Sequence, residues 1–99
     1  MLTLWSPEAE EQLAAASSWW TENRPYAPGL LDEELAGALE QLRTAPMSGQ
    51  PYRQGTRRVL LERTRYALIY RSRESHLEIV ALWSTLRGKP PRLGSPGGP

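Results

Sequence analysis

The chain has 99 residues, no cysteine and a formal net charge of +1. Its length suits one domain, which buries about 60 to 65% of the surface its unfolded chain exposes and therefore has modest stability that a partner can raise. Disulfides and thiolate metal sites are excluded, and with neither a stretch of about 20 apolar residues nor a basic, then apolar leader, a soluble cytoplasmic protein is expected, without contact with a membrane.

Leu2–Trp5 is a short apolar run that reads as a strand, edge or central, stopped by Ser6-Pro7. Ser6 is a good N-cap and Pro7 suits the first helical position. Glu8, Glu10 and Glu11 place negative charge at the positive end of the helix dipole. Ala9, Leu13, Ala16 and Trp20 recur at helical spacing, which predicts an amphipathic helix to about Glu22. Trp19 lies about 100° from Trp20 around that helix, so Trp20 is expected in the core and Trp19 partly in solvent. The breaker cluster from Asn23 to Gly29 separates this helix from a second, in which Leu31, Leu35, Ala38 and Leu42 form the apolar stripe. Gly37 costs that helix about 1 kcal/mol relative to alanine, an expense explained if helices or sheet approach closely there. Thr44-Ala45-Pro46 ends it.

Met47 to Gly55 is turn-rich, and beyond it the period becomes strand-like. Thr56–Glu62, Arg65–Arg71 and His76–Trp83 read as a meander of three strands. Alternation places Tyr66, Leu68 and Tyr70 on one face of the middle strand and Ala67, Ile69 and Arg71 on the other, giving a half-buried strand. It also groups Trp83 with Leu77, Ile79 and Ala81 as core. The fold expected is α+β, in the order β-α-α-β-β-β, with a helical hairpin packed on a small, mostly antiparallel sheet. One domain is expected over residues 1–87. The glycine- and proline-rich segment 88–99 is expected to be a flexible tail.

Charge is segregated along the chain. Residues 1–52 hold eight acids and two arginines, and the rest holds nine arginines and one lysine against Glu62, Glu74 and Glu78, balances of −6 and +7. Arginine pairs bidentately with carboxylates and phosphates and stacks on flat groups. The C-terminal half is therefore expected to offer anions a docking face, or else merely to neutralise the acidic helices. Candidates for binding a target or a protein partner are Arg57, Arg58, Arg65, Arg71, Arg87 and Lys89.

The order of elements resembles the RelE/ParE toxin superfamily over nearly the whole chain, closest to the ParE-like plasmid stabilisation toxins. The resemblance is carried by Gly55-Thr56-Arg57-Arg58 entering a strand, by the Tyr66-Ala67-Leu68-Ile69-Tyr70 strand, and by Trp83 to Pro91 with Arg87-Gly88 within it. It implies the toxin of a type II toxin-antitoxin system, silenced by a cognate antitoxin. One branch cleaves messenger RNA in the ribosome; the other inhibits growth by acting on DNA gyrase without a reaction of its own. Nuclease members carry a basic-x-basic pair where this chain has Arg58 and Leu60, and an arginine where it has Ala67. They often have tyrosine or histidine after the last strand, where it has Ser84.

Apart from the resemblance, cleaving RNA through its 2′-hydroxyl needs groups that take and return a proton near neutrality, and arginine is a poor base. The only histidine, His76, is expected at a turn. No serine has a recognisable base, and no glycine-rich phosphate loop, metal site or cofactor is argued. These residues favour a binder over an enzyme. A ribosome-dependent endoribonuclease and a degenerate member that harms nothing are the alternatives. Both a homodimer and a toxin–antitoxin hetero-oligomer remain open.

Overall fold

A computed structural model describes residues 2–91 and 93. Its elements are β1 (Leu2–Trp5), α1 (Pro7–Asn23), α2 (Leu30–Thr44), β2 (Gln50–Pro51), a 3-10 turn (Arg53–Gly55), β3 (Arg57–Leu61), β4 (Tyr66–Ser72) and β5 (His76–Ser84). The sheet order is β1-β5-β4-β3-β2; β1 runs parallel to β5 and every other neighbour is antiparallel. The α+β order β-α-α-β-β-β therefore holds, with β2 as a two-residue addition inside the turn-rich stretch. For Arg92 and residues 94–99, the expected tail lies outside the described residues.

Each helix begins and sits as its sequence requires. The Ser6 hydroxyl accepts from the Ala9 amide (3.0 Å) and Pro7 opens α1. Ala9, Ala16 and Trp20 of α1 and Leu31, Leu35 and Leu42 of α2 are buried in the core. Trp20 closes the hairpin by donating its indole N–H to the Ala27 carbonyl (2.7 Å), while Trp19 is only half-buried, as the helical period predicts. The sheet contributes Leu61, Tyr66, Leu68, Tyr70, Leu77, Ile79 and Leu82 to the same core. Such apolar side chains stabilise by about 1.5 to 3 kcal/mol each when fully buried.

Beyond the end of β1, α1 satisfies the free edge of β5. The Val80 carbonyl accepts from the Ser6 hydroxyl (3.2 Å), and the Leu82 amide donates to Gln12 Oε1 (2.8 Å). Glu34 of α2 reaches the β3–β4 turn, where its carboxylate accepts from the Arg63 amide (2.7 Å), the Thr64 amide (2.9 Å) and the Thr64 hydroxyl (2.7 Å). That turn contains no glycine, and Arg65 takes the left-handed conformation (φ 65°) to complete it.

Three expectations are corrected. The middle strand is buried on both faces: every residue from Tyr66 to Arg71 is buried. Trp83 is not core. The register of β4 with β5 shifts between Ile69 and Tyr70, so Tyr70 pairs with Ile79 while Ile69 pairs with Ala81, leaving Val80 as an extra residue. A bulge of this kind reverses the alternation. Ala81 and Trp83 thereby fall on the face away from the helices, with Ala67, Ile69 and Arg71, and Leu82 takes the core position. Gly37, finally, sits at no close approach: a Cβ there would meet nothing within 4 Å.

The close approach is at Gly49. A Cβ on this residue would lie 2.6 Å from Tyr70 Oη and 2.7 Å from the ring. The Tyr70 hydroxyl accepts from the Gly49 amide (3.0 Å) and donates to the Pro46 carbonyl (2.7 Å), pinning the segment after α2 to the central strand.

Candidate functional site

Two surfaces gather the cationic and aromatic side chains. The first lies where β5 ends. Thr85 donates both its amide (2.8 Å) and its hydroxyl (2.7 Å) to the Arg65 carbonyl, and the Leu86 amide donates to Ser84 Oγ (3.2 Å). The chain thus bends back over α1 and brings Arg87 onto Trp19, its guanidinium carbon 3.4 Å from the ring centroid. Arg87 also donates to the Tyr66 hydroxyl (2.6 Å). Arg24 approaches Trp19 at 5.2 Å. Beside this cation–π stack runs a groove of about 300 Å³, lined among others by Gln12, Ala15, Ala16, Trp19, Ser84 and Arg87. An apolar floor under one fixed cation can receive an apolar side chain and a carboxylate together.

The second surface is the sheet face away from the helices. Arg58 pairs with Ile69 across β3 and β4, so it shares this face with Arg71. Arg58 lies 6.0 Å over the Trp83 ring, and Trp83 packs beside Tyr52 with centroids 6.5 Å apart. Arg71 is buried, contacts Glu78 Oε1 at 3.3 Å and donates to the Gln54 carbonyl at 3.4 Å. Arg73 contacts the same Glu78 oxygen at 3.4 Å.

The six cations picked from the sequence are thus divided. Arg58 and Arg71 share the open sheet face, Arg87 follows β5 on the α1 side against Trp19, and Lys89 lies two residues further on; both of these last two are exposed. Arg65 occupies the β3–β4 turn, held to the same end by Thr85. Arg57 points the other way from Arg58 and donates to the Met47 (3.1 Å) and Gly49 (2.8 Å) carbonyls, so its guanidinium holds the loop before β2. Nothing in the local sequence marks Tyr52, and strict alternation places Trp83 in the core. Only the bulge at Val80 and the turn after Tyr52 bring the two rings together.

The positions compared with nucleases are also placed. Arg58, Leu60 and Ala67 share the open face, with Leu60 paired to Ala67, and Ser84 is buried. His76 opens β5, half-buried, with Ser75 Oγ 3.4 Å from its Nδ1. Among the described residues no group of three or more His, Cys, Asp or Glu side chains is placed to hold a metal ion, and no helix is long and apolar enough to cross a membrane.

No curated protein matches the sequence. Among solved structures, one described as "Chromosomal ParDE TA system from P. aeruginosa" superposes with a TM-score of 0.70 at 19% identity, covering 83% of this chain and 92% of that one. At that identity the likeness bears on the fold, which it shares. The family model described as "ParE toxin of type II toxin-antitoxin system, parDE" matches residues 3–88, and so spans all of the strands and helices above but Leu2 of β1. This chain belongs to the ParE toxin family.

Proposed function

We propose that the chain is a growth-inhibiting toxin that binds DNA gyrase, performs no reaction of its own and is neutralised in the cytoplasm by a cognate antitoxin. The observation that carries this reading is the make-up of the open sheet face. Where a ribosome-dependent nuclease of this architecture would need two further cations and a proton carrier, the chain has Leu60, Ala67 and the buried Ser84. Arginine is too weak an acid to exchange protons readily at neutral pH, so Arg58 and Arg71 suit binding better than acid–base chemistry.

Residues 1–87 form the toxin domain in this proposal, and residues 88–99 a tail outside it. The groove beside Arg87 suits the antitoxin. An amphipathic segment would set apolar side chains against Ala15, Ala16 and Trp19 and a carboxylate on Arg87, Lys89 or Arg65, in the helix-in-groove mode. Arg58 and Arg71 are left for the target, and Arg57 supports them by holding the loop before β2. The toxin and antitoxin then form the hetero-oligomer.

Induced expression in bacteria, with and without the neighbouring antitoxin gene, tests the pairing. Growth arrest relieved by the neighbour is expected, and Arg87→Glu should weaken that relief by reversing the charge beside the groove. Equal arrest with and without the neighbour, for a neighbour expressed and folded, would contradict it.

A further inference from the structure

The two edges of the sheet are guarded unequally. At one edge β2 is two residues long and ends in Pro51, which has no amide to donate. At the other, Leu2–Trp5 carries no charge and no proline, and its register with β5 is unbroken. The direction of its backbone groups follows from one bond. The Ser6 amide donates to the Ile79 carbonyl (3.0 Å), and in a parallel ladder alternate residues of a strand bond to the same neighbour. Leu2, Leu4 and Ser6 therefore turn their amides toward β5, while Thr3 and Trp5 turn theirs outward, where no described residue pairs with them. α1 covers the edge of β5 only from Ser6 onward, through the Ser6 hydroxyl and Gln12.

The side chains of this strand divide by face. Trp5 packs against the core under the helices, so Leu2 and Leu4 lie on the open face, where they are 61% and 46% exposed. Leu4 sits beside Glu78 of β5 on its inner flank and has no strand on its outer one. Exposed leucines beside outward amides make an edge of the kind that folded sheets ordinarily blunt with lysine, proline or a bulge. None of these devices is present in Leu2–Trp5, so the edge suits pairing.

We infer that β1 pairs antiparallel with β1 of a second copy of this chain, across a twofold axis at Leu4, joining two five-stranded sheets into one. The strand is complementary to itself. About that axis Thr3 stands opposite Trp5 of the second copy, and each donates its amide to the other's carbonyl, so every outward donor and acceptor of Thr3 and Trp5 is used. Leu4 meets its own copy in the closely spaced, non-hydrogen-bonded position with Leu2 on the diagonal, and the leucines cover one another. A foreign strand would need a matching sequence, whereas a second copy already carries it, and a net charge of +1 gives two copies little repulsion. Pairing β1 with the part of β3 that β2 leaves free would be head-to-tail, a contact that closes only into rings or runs on as filaments; the twofold closes at two copies. Four residues a side bury less than the roughly 1,000 Å² of a stable interface, so the association is weak and reversible. Neither gyrase nor antitoxin takes part in this contact or in its test.

Sedimentation velocity of the full chain is measured from about 5 to 500 μM, the range in which so small an interface associates. Monomer is expected to pass to dimer and no further, with hydrogen exchange at Thr3 and Trp5 slowing as the dimer fills. Leu4→Lys sets like charges directly opposite and should raise the dimer Kd about tenfold or more. Thr3→Pro removes an outward donor and no bond to β5, and should act in the same direction. Met47→Lys, at an apolar residue 62% exposed near the other edge, should leave the dimer unchanged. Leu4→Cys, in a chain with no cysteine, should link two copies under mild oxidation, since facing Cα atoms about 4.5 Å apart fit a disulfide; Leu2→Cys, opposite Ser6, should not. Circular dichroism reports whether each variant folds. The inference is overturned by a chain that stays monomeric throughout the range, by a folded Leu4→Lys variant that dimerises as well as the parent, or by assemblies that grow past the dimer.

Discussion

Gly49 and Tyr70 show how one missing side chain can set the shape of a surface. With Tyr70 Oη 2.6 Å from where a Cβ would stand, Gly49→Ala must displace either a buried ring or the backbone before β2. Overpacking of this kind costs about 1 to 3 kcal/mol. Tyr70→Phe should cost a similar 1 to 3 kcal/mol or so, because it strands the Gly49 amide and the Pro46 carbonyl. Denaturant titration should show both as a lower midpoint with an unchanged slope. Gly37→Ala should do the reverse, raising stability by about 0.5 to 1 kcal/mol, since the added methyl meets open space and restricts the unfolded chain. The sequence shows both glycines alike. The one in a helix attracts an explanation in terms of packing, yet the one in a turn has the contact, formed with a residue 21 positions away.

At the scale of elements, local chemistry was legible and long-range register was not. Ser6 and Pro7 announce α1, and helical spacing separates Trp20 from Trp19 correctly, because both signals are set within a few residues. Consecutive strand residues also separate by alternation, which sends Arg57 and Arg58 to opposite faces. That the Arg57 guanidinium is taken up by the Met47 and Gly49 carbonyls depends on a loop whose course no short-range pattern fixes. Trp83 was misplaced for the same reason: strict alternation assumes an unbroken ladder, and the bulge at Val80 breaks it. Since Trp83 lies outside the helix-facing core, Trp83→Ala should destabilise less than Trp20→Ala, for which about 3 to 5 kcal/mol is expected. The β3–β4 turn offers a further test. Glu34→Ala removes the acceptor of two amides and a hydroxyl, so it should cost about 1 to 3 kcal/mol and speed hydrogen exchange at Arg63 and Thr64.

For the whole molecule, the segregation of charge along the sequence becomes a division of surfaces. Acids crowd the exposed sides of α1 and α2, while the described arginines of the second half, Arg57 on the other side of β3 apart, occupy the open sheet face, the turns and the end of β5. A helical hairpin covers one side of the sheet, and aromatic and arginine side chains cover the other. This leaves two separated cationic surfaces, the Arg87 groove and the Arg58–Arg71 face, available to different partners. The central claim is that these surfaces act by binding and that the chain cuts nothing. It is tested most directly by adding the purified full chain to DNA gyrase in a supercoiling assay, alongside ribosomes translating a defined message. The account predicts that supercoiling is lost while the message stays intact, and a cut message with supercoiling untouched would contradict it.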